Sequence, residues 1–150
     1  MLLKVAKTHD GAILPNRANP SDAGADLFYC PAEDIIIEIK PGGSAILSTG
    51  IKVEVPHGYM LEVKNRSSVA AKKSLLVGAC VIDSGYSGEI FINLHSVGKG
   101  SQLVYPGDKI AQAVLVPIIQ WRSHEVDESV LYEDSLTISN RGSGALGSTN

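Results

Sequence analysis

Asp83 stands in Ile82-Asp83-Ser84-Gly85-Tyr86, an acidic side chain where the chain is prone to turn. A carboxyl group with an ordinary pKa of ~3.9 is ionised at neutral pH, so a positioned Asp can take a proton from an attacking water, an effect worth about 10²–10⁴-fold in rate. The plainer alternative is an ordinary turn Asp, because Asp-Ser-Gly favours a turn by itself. Arg66, Ser67 and Ser68 open a run, Val69-Ala70-Ala71-Lys72-Lys73, that tolerates a helix. Free N–H groups and the dipole at such a start favour an anion, and Ser67 or Ser68 is expected to cap it. Tyr86 follows the turn, where a tyrosine often covers a core edge with its hydroxyl in water.

Other chemistries are excluded. His9, His57, His95 and His124 are too scattered for a transition-metal site, so any metal is expected to be hard and bound by oxygen. Gly142-Ser143-Gly144-Ala145-Leu146-Gly147 fits a dinucleotide-binding pattern but lies too near the end of the chain for the required helix and acidic residue. Sixteen Asp and Glu against thirteen Lys and Arg give a net charge of −3, which offers no basic face for a nucleic-acid polymer. No apolar run reaches the ~20 residues of a membrane helix, and the start of the chain lacks a secretory pattern. Cys30 and Cys80 form neither a CxxC pair nor a disulfide framework, so the expected setting is reducing, the cytoplasm or another such compartment.

These residues must be positioned by strands. With 150 residues, 44% hydrophobic and 19% charged, one globular core is expected. Ile51-Lys52-Val53-Glu54-Val55 alternates apolar and charged residues, so one face is buried and the other wet. Similar runs span 2–7, 35–39, 45–47, 59–64, 75–77, 80–82, 89–94, 103–105 and 113–116. Turns at 41–43, 56–58, 97–100 and 105–108 separate them. Many short strands with frequent turns predict an all-β sandwich or barrel, and 67–74 is the single helical stretch. Residues 140–150 are Gly- and Ser-rich with little to bury, and are expected to form a flexible tail after a domain spanning 1–139.

Five segments, in order and at approximate spacing, resemble the motifs of the trimeric dUTP pyrophosphatase (dUTPase) family: Ser21-Asp22-Ala23-Gly24-Ala25-Asp26-Leu27, Asn65 to Ser68, Gly78 to Gly88, Gly107-Asp108-Lys109-Ile110-Ala111-Gln112, and Arg141 to Thr149. The resemblance implies a distorted jelly-roll or β-barrel with a short helix and a mobile tail. It implies hydrolysis of dUTP to dUMP and diphosphate, with Asp83 activating the water and Mg²⁺ as cofactor. Asp26 would meet the metal through water, since Mg²⁺ keeps much of its hydration. Arg66, Ser67 and Ser68 would hold the α- and β-phosphates, with Gln112 nearby; the residue-level alternative for Gln112 is an edge-strand side chain bonded to backbone.

By the same resemblance, backbone groups along Gly78 to Ile82, including Cys80, Val81 and Ile82, would read the uracil edge, and Tyr86 would exclude a 2′-hydroxyl. Phe91 is counted among the substrate-binding residues. Arg141, Leu146, Gly147, Ser148 and Thr149 would close over the nucleotide, excluding water. Each site would draw on more than one subunit of a homotrimer.

Three positions depart from the family pattern. Leu146 replaces the aromatic lid of the tail, Cys80 stands where a small Gly is common, and Gly85 where an acidic residue often precedes the Tyr. Two alternatives are a dCTP deaminase-like enzyme, with which the chain shares Arg-Ser-Ser and Ile-Asp-x-Gly, and a slow or inactive dUTP-binding regulatory trimer. Against the deaminase, its Arg and Glu positions are occupied by Ala71 and Asn93.

Overall fold

The computed structural model describes residues 2–133. The chain divides into two compact units, Met1–Ile119 and Gln120–Asn150. In the first, eleven strands and one short helix run in the order β1 (Lys4–Lys7), β2 (Ala25–Phe28), β3 (Ile37–Ile39), β4 (Ser44–Ser48), β5 (Ile51–Glu54), β6 (Tyr59–Lys64), α1 (Ser67–Lys73), β7 (Leu75–Val77), β8 (Val81–Ile82), β9 (Phe91–Ser96), β10 (Gln102–Val104) and β11 (Lys109–Pro117). All strand pairings are antiparallel. A four-stranded sheet has the order β2-β11-β6-β8, a three-stranded sheet β4-β9-β7, and two ribbons pair β1 with β5 and β10 with β3. This is the all-β architecture that the pattern of short runs predicts, and it agrees with the jelly-roll-like fold that the family resemblance implies.

The alternation within each strand explains its packing. In β5, Ile51 and Val53 are buried while Lys52 and Glu54 face water. In β9, Ile92, Leu94 and Ser96 point inward, with Phe91 and His95 outward. Leu27, Ile39, Leu47, Ile51, Leu75, Ile92 and Leu94 bring all the sheets together in one core, each side chain contributing roughly 1.5–3 kcal/mol by leaving water.

Strand boundaries differ modestly from the sequence reading, and two elements differ more. β2 has no alternation to announce it, because Asp26, Leu27 and Phe28 are all buried. β11 is nine residues long, longer than 113–116, because it is flanked by β2 on one side and β6 on the other. Its register against β2 shifts between Lys109 and Ala111, a bulge that re-aims the side chains beside it.

In the second unit, Glu128–Val130 form one turn of 3₁₀ helix, and Trp121, Leu131 and Tyr132 are exposed. The tail expected over 140–150, and with it Arg141, Leu146, Gly147, Ser148 and Thr149, lies outside the described residues.

Candidate active site

β8 runs beside β6, with Leu61 opposite Ile82 and Glu62 opposite Val81. The chain then turns back at 83–86: the Tyr86 N–H donates to the Asp83 carbonyl at 3.2 Å. The turn needs Gly85, whose φ of +93° lies where a side chain is strained. Asp83 is therefore at the first position of a tight turn, with its side chain exposed.

A cavity of about 200 Å³ opens beneath it, lined by Cys80, Val81, Ile82, Asp83, Tyr86, Glu89 and Phe91 among others. Six of the residues singled out by sequence thus share one cavity. Three of them, Val81, Tyr86 and Phe91, are 55%, 47% and 50% exposed, an apolar lip beside the exposed Asp83 carboxylate. Exposed apolar surface gathered at a concavity is the usual mark of a ligand or partner site. Of 78–82 only Val81 and Ile82 form a strand, and two of the segment's backbone groups are already bonded within the fold. The Gly78 N–H donates to Asn93 O at 2.9 Å, and the Cys80 carbonyl accepts from the Val63 N–H at 2.7 Å.

A second cavity, about 310 Å³, is lined by Asp22, Gly24, Asp26, Arg66, Ser67, Ser68 and Gln112 with two alanines. Asp26 is its buried centre. Arg66 donates from Nε to Oδ1 at 2.6 Å, and Lys109 Nζ lies 2.8 Å from Oδ2. Burial pushes the Asp26 carboxyl upward, but hydrogen bonds from Lys109 and Arg66, and their charges, outweigh it and hold the pKa below the ordinary value. The group is an anion throughout the neutral range.

Arg66 also donates from Nη1 to Ser68 Oγ at 3.3 Å. Arg66 itself, rather than Ser67 or Ser68, is the N-cap of α1, and no side chain caps the helix. Ser67 and Ser68, the two alternatives for the cap, lie one and two residues inside, because the backbone is still extended at Arg66, whose ψ is 133°. Both Ser67 and Ser68 are exposed in the cavity wall.

Gln112 lies on β11, which is flanked on both sides and is not an edge. Its amide donates to the Asn65 carbonyl at 2.9 Å, the backbone bond the sequence left open. The side chain fits because Gly24 has none: a Cβ there would stand 2.8 Å from Gln112 Cδ and 3.1 Å from its Cβ. Asn65 is a junction as well, accepting the Val77 N–H on Oδ1 at 2.7 Å.

Sequence reasoning gave no role to Lys109 or Glu89. Lys109 lies inside a segment that had been singled out, but its partner Asp26 is on another strand, so only tertiary pairing reveals the contact. The two cavities have no lining residue in common. Among the described residues, no group of three or more His, Cys, Asp or Glu is arranged to hold a metal by itself. None of the described helices is long and apolar enough to cross a membrane.

An all-β frame with one cavity of anion-binding donors and another combining an apolar lip with a carboxylate is suited to a phosphorylated ligand that also has a flat, partly apolar part. Comparison with known proteins narrows that class. The dUTPase family model matches residues 10–150, and the chain belongs to the dUTPase family. It is similar to the deoxyuridine 5′-triphosphate nucleotidohydrolase of Clostridium acetobutylicum, with 41% identity over 149 residues, 98% of this chain and 95% of the relative. The structure of Staphylococcus bacteriophage 80alpha dUTPase with dUPNHPP superposes with a TM-score of 0.84 at 27% identity, covering 99% of this chain and 98% of the phage protein. A variant dUTPase from phage phi11 of S. aureus, described for its coordination of a structural Mg(II) ion, gives 0.76 at 28% identity over 85% and 98% of the two chains.

Proposed function

We propose that this chain hydrolyses dUTP to dUMP and diphosphate. The observation that carries the reading is the gathering of Asp83, Tyr86, Phe91 and the 80–82 backbone around one cavity, in a chain of the dUTPase family. In this reading the uracil and sugar occupy the hairpin cavity. Tyr86 lies against the deoxyribose and leaves no room for a 2′-hydroxyl. Val81 and Phe91 lose their contact with water when the nucleotide arrives, which favours binding by roughly 25 cal/mol per Å² of apolar surface covered.

The Asp83 side chain takes a proton from a water, whose oxygen attacks the α-phosphorus. The bond to the bridging oxygen breaks and diphosphate leaves in line. Arg66, Ser67 and Ser68 donate to the phosphates, and most of the acceleration comes from such donors being fixed before the reaction starts. Gln112, held to Asn65, completes that wall.

The donor set of the second cavity fits a magnesium ion brought in with the substrate. Its lining includes one Arg and two Asp, so a polyanion entering it lacks counter-charge, and Asp26, whose oxygens already face Arg66 and Lys109, would offer a remaining lone pair to a metal-bound water. Bound there, Mg²⁺ would neutralise phosphate charge in the ground and transition states.

A homotrimer with sites shared between subunits is part of this reading. Its support is that the two sets of residues line separate cavities of one chain, and that Trp121, Leu131 and Tyr132 are exposed and need apolar cover. We also read 140–150 as a tail after the 1–139 domain, closing over the bound nucleotide with Arg141, Ser148 and Thr149 toward the γ-phosphate and Leu146 over the base. Removing 140–150 is expected to collapse the turnover rate; an unchanged rate would refute that role. The free thiols Cys30 and Cys80 support a reducing, cytoplasmic setting.

Incubation with a nucleotide panel in H₂¹⁸O tests the reaction. The reading expects dUTP alone to be consumed efficiently, diphosphate to be released, and the label to appear in dUMP. Ammonia from dCTP would instead indicate a deaminase, although Ala71 and Asn93 leave that chemistry without its Arg and Glu. Tight dUTP binding without product would indicate a regulator.

A further inference from the structure

The stretch after the hairpin docks on the turn between β4 and β5. The Ile90 N–H donates to Ile51 O at 2.9 Å, and the Thr49 N–H and hydroxyl donate to Ile90 O at 3.3 and 2.6 Å. Glu89 adds a side-chain tie: its Oε1 accepts from the Ser48 hydroxyl and from the Gly50 N–H, the latter at 2.9 Å. The main-chain carbonyl of the same residue accepts the Tyr86 hydroxyl at 2.9 Å. The tyrosine ring lies against Gly88, where a Cβ would stand 3.0 Å from Cε2 and well inside contact distance of Oη and Cζ.

A half-exposed tyrosine held by nothing samples several staggered rotamers. Here its hydroxyl is fixed to a carbonyl that is itself fixed, through a carboxylate, to the turn that ends the neighbouring strand β4. One side-chain oxygen accepting two donors, beside the main-chain bonds of Ile90, makes Glu89 a firm anchor.

From this geometry we infer that Glu89 is a positioning residue for sugar selection, holding the carbonyl that fixes the Tyr86 hydroxyl and hence the ring that meets the deoxyribose. The inference rests on the dUTP reading of the hairpin cavity. In it, Glu89 acts only through Tyr86.

The test measures kcat and KM for dUTP and UTP with the full chain and Mg²⁺. Glu89→Ala is expected to lower the ratio of kcat/KM for dUTP over UTP by about tenfold or more, equivalent to about 1.4 kcal/mol of discrimination. Glu89→Gln keeps an acceptor oxygen and should stay within about twofold of the unaltered chain. Tyr86→Phe should reproduce the loss, and the double variant should lose no more than the larger single, because both break one chain of contacts.

A melting temperature that falls while the ratio holds overturns the proposal, and so does a Glu89→Gln ratio as low as that of Glu89→Ala. If Glu89→Ala does not fold, Ser48→Ala removes one donor and should still lower the ratio severalfold; no change overturns the idea. Failure of the functional reading is distinguished by the unaltered chain, which would then release no dUMP from dUTP.

Discussion

Asp26 is the side chain on which most charge converges. Its two oxygens face separate cations, Arg66 and Lys109, so an asparagine, with one neutral acceptor oxygen, leaves one cation without its partner and the other with a weaker one. Asp26→Asn is expected to destabilise the fold by about 1–3 kcal/mol in chemical denaturation, the cost of leaving charged donors poorly matched. The pH dependence has a definite sign. Because the folded pKa is lowered, the contribution is fully present above the unfolded value of ~3.9 and is lost as pH falls through the lower folded value. The stability gap between Asp26→Asn and the unaltered chain should be constant from pH 7 to about 5 and shrink below about 4; a gap unchanged in strong acid would contradict it. Asp83 differs in kind, being exposed and outside every ion pair described. Asp83→Asn should lower kcat by about 10²–10⁴-fold with nucleotide affinity nearly retained and stability within ~0.5 kcal/mol. Calorimetric titration with a non-hydrolysable analogue checks the affinity, and joint loss of binding and turnover would mark Asp83 as structural. Asp83 was legible in the sequence because its turn is encoded by its immediate neighbours. Glu89 and Lys109 were not, because their partners are brought to them only by the folded sheets.

Among the elements, α1 is the least conventional. It starts without a side-chain cap and ends at Ser74, whose φ of 51° is left-handed. A non-glycine residue there carries roughly 1–2 kcal/mol of steric cost. Ser74→Gly should relieve most of it and, after the added freedom of the unfolded chain, raise stability by about 0.5–1 kcal/mol in urea denaturation; destabilisation would show that the serine side chain contributes more than its backbone costs. The helix was legible from Val69-Ala70-Ala71-Lys72-Lys73, but its cap was not, since a serine beside a helix start reads the same whether it lies at the boundary or one residue inside. β5 and β6 were legible from alternation. β2 was not, because a strand buried on both faces has no period to display.

At the scale of the whole molecule, the residues expected to act together fall into two groups that line different cavities of one chain. If the site is shared between subunits, two defective chains can repair each other. Mixing Asp83→Asn with Arg66→Ala, each nearly inactive alone, and reassembling them should restore a readily measured fraction of the original rate, with light scattering reporting three copies of the 15.8 kDa chain. Absence of recovery in a trimer of confirmed mixed composition would place the whole site within one chain.

The space beside Gly24 has a bearing on how such a chain can drift. The amide of residue 112 occupies the volume that any side chain at 24 would claim. An alanine at 24 would push the Gln112 amide aside and loosen its bond to the Asn65 carbonyl, and is expected to be accommodated more readily where residue 112 is shorter. The two sites, remote in the gene, are therefore expected to be substituted as a couplet.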